Sequence, residues 1–208
     1  MRTLGAASLV TASRAPALGA SSNQFLRAGI SDAFITPATG TRLLEPYFQE
    51  STGKLDDLYA RVLVLGDHDT LVAIVCMDLV GLDFGFADRL RTAIQKLGVT
   101  AALFNCSHTH NAPVSVPYKL VGWQYYLEHD GEWRSKVLQL VVAAVQRALT
   151  SMQDVTLSAH RAPVTIGYSR RPEPSTVVPW TDVLRVNQSD GRPLTILFSH
   201  AARTGQSL

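Results

Sequence analysis

Apolar positions along the chain recur with two rhythms, one of period two and one of period 3.6. Residues 58–65 and 70–79 are β-rich runs separated by Gly66-Asp67-His68-Asp69, a combination that predicts a β-hairpin. The stretch LVAIVCMDL within the second run is apolar at consecutive positions, which predicts a central strand buried on both faces. From Asp83 to Leu97 the rhythm changes: Phe86, Leu90, Ala93, Ile94 and Leu97 recur at helical spacing, and Gly98 supplies a stop. Residues 101–106 form another run of strand length, so a strand–helix–strand unit with a right-handed crossover is expected. Asp130 is placed to cap a second helix with the stripe Trp133, Val137, Leu140, Val141, Ala144, Val145 and Ala148, reaching Met152. Three more strands are predicted at 155–166, 183–187 and 194–198, with Ser189-Asp190-Gly191 as the turn between the last two. The expected fold class is α/β: a mixed β-sheet layered with helices.

Composition narrows the function classes. Apolar residues make up 46% and charged residues 17% of 208, which excludes a disordered or collagen-like chain. Nineteen basic against seventeen acidic side chains give +2, too balanced for a phosphate-directed basic face, so no nucleic-acid partner is expected. Fifteen of the basic residues are Arg, a usage that suits anion recognition and equally fits coding bias. Cys76 and Cys106 each sit in an apolar run and read as small buried hydrophobes, with a bridge between neighbouring strands as the alternative. No run reaches the roughly 18 apolar residues of a membrane span. Residues 1–26 hold Arg2, Arg14, many Ala and Ser, and no acidic side chain, so they read as a leader or a degraded export signal. Export and a plain disordered leader both remain open.

The densest cluster of reactive residue types is Asn105-Cys106-Ser107-His108-Thr109-His110-Asn111-Ala112-Pro113. It begins where a strand ends, the place where open α/β sheets bind ligands. In an extended segment residues i and i+2 point the same way, so His108 and His110 are expected to face one site. Two imidazoles so placed hold one zinc together, or one binds metal while the other moves protons; the bland alternative is two loop histidines. His68 in a turn, His129 before a helix and His160 in a strand read as surface or packing residues. Asp78, ending a strand, reads as a hydrogen-bond acceptor for a neighbouring segment rather than a metal contact. Trp123, Tyr125, Tyr126 and Trp133 offer an acyl-chain wall or ordinary core and rim. Arg170-Arg171 reads as an anion anchor or as a solvated turn.

Several segments together, in order, carry a family likeness. They are Ala28-Gly29-Ile30-Ser31-Asp32-Ala33-Phe34-Ile35-Thr36-Pro37, Asp56-Asp57-Leu58-Tyr59-Ala60-Arg61, Met77-Asp78-Leu79, the loop Ser107-His108-Thr109-His110-Asn111-Ala112-Pro113, Gly167-Tyr168-Ser169-Arg170-Arg171, and Thr195-Ile196-Leu197-Phe198-Ser199-His200-Ala201-Ala202. This set resembles the neutral/alkaline (non-lysosomal) ceramidase family, whose signature is a strand running into a T-H-T-H-S-G-P loop. Ser169 stands where that family has Asn. The resemblance implies a zinc-dependent amidohydrolase that cleaves an N-acyl bond, with ceramide giving sphingosine and a fatty acid. It implies His108 as a zinc ligand, His110 beside the metal to stabilise the anionic intermediate or move protons, and Arg170 as an anchor for substrate or oxyanion charge. The metal would supply a water of lowered pKa and polarise the amide carbonyl.

The likeness stops at the last strand. The family has a zinc-binding histidine followed by Pro where this chain has Arg203-Thr204. The family's Glu and Tyr ligands, its proposed serine nucleophile and its C-terminal β-rich domain do not follow within these residues. A zinc site needs about three protein ligands. His200 is a candidate replacement, although a three-residue shift on a strand turns a side chain to the other face. Residues 27–208 are therefore expected to be the N-terminal portion of a ceramidase-like catalytic domain, incomplete and inactive by itself, with a sheet edge and apolar faces exposed. The partner implied is a ceramide-like or other N-acyl lipid. A hydrolase for a different N-acyl substrate, a non-catalytic lipid- or partner-binding relic, and a half-site completed by another polypeptide are the alternatives. Oligomeric state is not legible.

Overall fold

A computed structural model describes residues 26–43, 49–113, 115–116, 131–165 and 178–200. The leader, Asp130 and the aromatic residues at 123, 125 and 126 lie outside the described residues. The strands are β1 (Arg27–Phe34), β2 (Tyr59–Gly66), β3 (Leu71–Met77), β4 (Ala101–Cys106), β5 (Gln153–Pro163), β6 (Trp180–Gln188) and β7 (Pro193–Ser199). Two helices, α1 (Phe84–Gln95) and α2 (Gly131–Thr150), complete the described elements. The strands form one mixed sheet in the order β4-β3-β2-β1-β5-β6-β7. Only β3 and β4 run parallel, with α1 as the crossover between them; every other pair is antiparallel. The predicted hairpin, helices and later strands are present, so the α/β mixed-sheet expectation holds.

Both helices pack on one face of the sheet. Ala33, Ala60, Val62, Val64, Ala73, Val75, Met77 and Ala102 meet Phe86, Leu90 and Ile94 of α1 and Val137, Val141, Ala144, Val145 and Ala148 of α2. These alternate strand positions are buried because successive side chains point to opposite faces. Asp83 caps α1 by accepting the Phe86 amide at 2.9 Å, and Gly98 (φ +88) takes the left-handed conformation just past the end.

Strand β1 is not among the strands that the apolar pattern predicts. It is the middle strand, yet its helix-facing positions are Gly29, Ser31 and Ala33. Small residues stand there because α2 crosses close by: a Cβ on Gly29 would lie 1.9 Å from the Ala148 carbonyl oxygen. Close backbone approach thus replaced the large side chains that periodicity detects.

The opposite face corrects the expectation of a central strand buried on both sides. Strand β3 is next to the edge, and on the face away from the helices Val72, Ile74 and Cys76 are only half-buried. A smaller cluster there, Ala28, Leu63, Val155 and Val186, gathers Leu26, Leu65, Ile74, Leu194 and Leu197. Beyond it Ile30, Phe34 and Leu103 stay exposed, Leu103 at 58% on the edge strand β4. The run LVAIVCMDL is apolar on both faces, but among the described residues only one face has a complete covering layer.

The cysteines are free. Register places Met77 beside Cys106 and Asn105 beside Cys76, so the two thiols leave the sheet on opposite faces and a bridge is excluded. Burial pushes the Cys106 thiol up to about 11 and raises Cys76 as well. The thiolate is the reactive form, so alkylation of Cys106 near neutral pH should run roughly 100-fold slower in the native chain than in urea. Pulsed alkylation read by mass spectrometry checks this.

Candidate functional site

The site is built where the parallel pair ends. After β3 the chain passes through Asp78, Leu79, Val80, Gly81 and Leu82 to the α1 cap Asp83; after β4 it enters the histidine loop. Two backbone bonds continue the ladder past the strands: the Ser107 amide donates to the Met77 carbonyl and the His108 amide to the Leu79 carbonyl, each at 3.0 Å. An isolated bridge between Leu43 and Pro113 ties down the far end of the loop, where Ala112 is buried.

His108 has φ +62, the one described non-glycine residue in the left-handed region. A side chain there costs about 1–2 kcal/mol, so the surrounding structure must hold it. The kink turns the ring back so that Nδ1 sits 2.9 Å from the Val80 carbonyl oxygen. A carbonyl only accepts, so Nδ1 carries the proton and Nε2 of the neutral ring presents its lone pair. This is the arrangement in which a ligating histidine is usually oriented by a backbone oxygen. His110, half-buried, meets the His108 ring edge-on, with centroids 5.1 Å apart and planes at 68°. The two rings are together, as the i, i+2 spacing implies, but the left-handed turn at His108 brings them there rather than an extended alternation.

The turn from β3 to α1 is braced at successive points. The Ser115 hydroxyl, 1% exposed, donates to the Gly81 carbonyl at 2.7 Å. The Asp83 carboxylate caps α1 with Oδ1 and takes the Arg134 guanidinium of α2 with Oδ2. Asp78 accepts the Tyr59 amide at 2.9 Å and lies 3.5 Å from the Arg61 guanidinium, which fits its reading as a structural acceptor. Trp133 donates from Nε1 to the Ile35 carbonyl at 3.0 Å and packs against the core, the bland alternative for that ring. His68 and His160 are exposed.

His200 follows β7, and His108 follows β4; these are the two edge strands, with five strands between them in the sheet order. The His200 Nδ1 lies 2.9 Å from the Trp180 carbonyl oxygen, and its Nε2 is buried with no partner among the described residues. Arg170, Arg171 and Arg203 lie outside the described residues. Among the described residues no group of three or more His, Cys, Asp or Glu is placed to hold a metal. The donor chemistry at His108 and His110 suits zinc, but two imidazoles fall short of the roughly three protein ligands that a catalytic zinc needs. The described residues therefore do not hold a catalytic zinc by themselves.

Sequence reasoning missed the oriented carbonyl of Val80 and the role of Arg134. Arg134 was hidden inside an apolar helical stripe, and a backbone acceptor leaves no trace in residue identity. Asp83 stood at the start of the predicted helical run, but its capping bond and its second partner, 51 positions away, were not legible.

No protein-family model matches the chain, and no curated protein matches it. Solved structures do. The neutral ceramidase from Pseudomonas aeruginosa superposes with a TM-score of 0.65 at 16% identity, covering 85% of this chain and 32% of its own. A structure of a ceramidase complexed with C2 gives 0.66 at 16% identity, covering 85% of this chain and 31% of its own. The chain thus spans about a third of the length of the ceramidases it matches. The fold that the ordered motifs implied is the fold observed: over most of its described length the chain is built like one part of a neutral ceramidase.

Proposed function

We propose that this chain is the N-terminal portion of a ceramidase-like, zinc-dependent amidohydrolase domain that splits N-acylsphingosine into sphingosine and a fatty acid, and that these 208 residues alone are inactive. The observation that carries the reading is the His108 ring, held through Nδ1 by a strand-end carbonyl so that Nε2 is the donor atom. In this reading His108 is a metal ligand and His110 stabilises the oxyanion or moves protons from its edge-on position. Arg170 anchors substrate or oxyanion charge through its guanidinium fork. The inactivity is part of the proposal: the two imidazoles that the described residues bring together are fewer than the roughly three protein ligands that a catalytic zinc needs. The solved ceramidases lend the fold, and the ordered motifs lend the chemistry.

The purified chain, supplied with zinc and an N-acylsphingosine, is expected to show no turnover above the zinc-only blank. Cobalt added in place of zinc is expected to give a weak, saturable visible spectrum that requires His108. Turnover that disappears in His108→Ala would overturn the inactivity, and a chain that leaves cobalt unbound would overturn the ligand role of His108.

A further inference from the structure

We infer that the partly buried Asp83–Arg134 ion pair is a positioning device for His108: it clamps the β3–α1 turn whose Val80 carbonyl sets the ring. The inference deepens the proposed function and rests on it for its purpose, but its geometry stands independently. Val80, Gly81 and Asp83 lie within four residues, and each is gripped from a different part of the chain. Val80 takes the His108 ring, Gly81 takes the Ser115 hydroxyl, and Asp83 takes Arg134 from the first turn of α2. Val80 is 6% exposed, so its carbonyl moves only if the turn moves.

Arg134 is a costly residue to place here. Its side chain is 10% exposed, its guanidinium lies 4.7 Å above the Phe86 ring, and its Nε is buried without a hydrogen-bond partner among the described residues. Burying a charged pair is weak support for stability, and an apolar residue of the same volume often does as well or better. Asp83 needs no arginine in order to cap α1, because a carboxylate at a helix N-terminus is favoured by the amides and the helix dipole. What the guanidinium adds is a fixed position for the end of the turn, referred to α2 and through α2 to the sheet. A left-handed histidine has no such latitude in its own backbone. If the turn shifts, Nδ1 loses its acceptor, and the ring is free to carry its proton on Nε2, the nitrogen needed as a donor atom.

The test uses the full chain and ring-nitrogen NMR of His108, with parent and variants compared at one fixed, mildly alkaline pH. Arg134→Met removes the charge with little change in volume and leaves Asp83 as the cap. The paired variant Asp83→Asn with Arg134→Met removes both charges and keeps a capping side chain, so one of the two is expected to fold even if the other does not. In the parent chain His108 is expected almost wholly as the Nδ1–H form. In either variant the Nε2–H form is expected to become a major species, and Arg134→Lys is expected to restore much of the parent pattern. Cobalt affinity is expected to fall roughly tenfold in step, the usual effect of removing a ligand's orienting partner. A folded variant whose His108 tautomer is unchanged would overturn the inference. A tautomer shift in a chain that binds no cobalt would uphold the positioning and sink the metal reading, so the two fail separately.

Discussion

Gly29→Ala is expected to lower the stability of the chain by about 3 kcal/mol, near the top of the range for overpacking. The reason is backbone against backbone. The new Cβ would lie 1.9 Å from the Ala148 carbonyl oxygen, 2.9 Å from its carbon and 3.1 Å from the Met152 amide nitrogen. No rotamer change relieves that, because none of the three atoms belongs to a side chain. Strand β1 and α2 must separate, and the cavity so opened runs along the core positions that α2 buries. Gly53 serves as the control: its Cβ would meet nothing within 4 Å, so Gly53→Ala should fall within about 0.5 kcal/mol of the parent. Urea titration checks both, and for the first variant a shift in midpoint at constant slope is expected. In a thermal melt the loss corresponds to roughly 6–12 °C for a domain of this size. A Gly29→Ala protein as stable as the parent would mean that α2 does not cross β1 as described.

Loss of the His108 ring is the second large effect. His108→Ala is expected to reduce cobalt or zinc affinity by at least about 100-fold, beyond the usual cost of losing only an orienting partner. His110→Ala is expected to cost about tenfold, because in the proposed reading His110 stands beside the metal to stabilise charge or move protons and is not the ligand. His108→Asn separates chemistry from backbone, since asparagine tolerates the left-handed region better than alanine. It should fold like the parent and bind metal as poorly as His108→Ala. Titration followed by the visible spectrum of cobalt gives the affinities, and circular dichroism reports the fold. Equal losses at both positions would instead make the two imidazoles equivalent donors.

The parts legible in the sequence are those where a side chain faces a covering layer. The stripe of α2 is legible down to Val137, Val141, Ala144, Val145 and Ala148 because one helical face meets one sheet face. The hairpin was legible for a similar reason: Gly66 and Asp67 turn the chain between two strands whose alternate positions are buried. Strand β1 escaped because Gly29, Ser31 and Ala33 make room for α2 instead of filling space. The covering of β3 is not legible, since apolar character records what a strand tolerates and not what lies over it. At the site, the residue types of the histidine loop were legible. Its geometry was not: the left-handed backbone at His108, the Val80 acceptor and the Asp83–Arg134 pair are set by segments far apart in the chain.

The bond between the His108 ring and Val80 also decides when the imidazole comes to rest. A rotor that is stopped only on binding subtracts its lost freedom from affinity, roughly 0.5–1.5 kcal/mol for a side chain with many rotamers. Here the stop is applied as the chain folds, by the oxygen of the residue next to the backbone acceptor of the same histidine. Whatever arrives at Nε2 meets an atom already at its station, and the encounter spends nothing on aiming it.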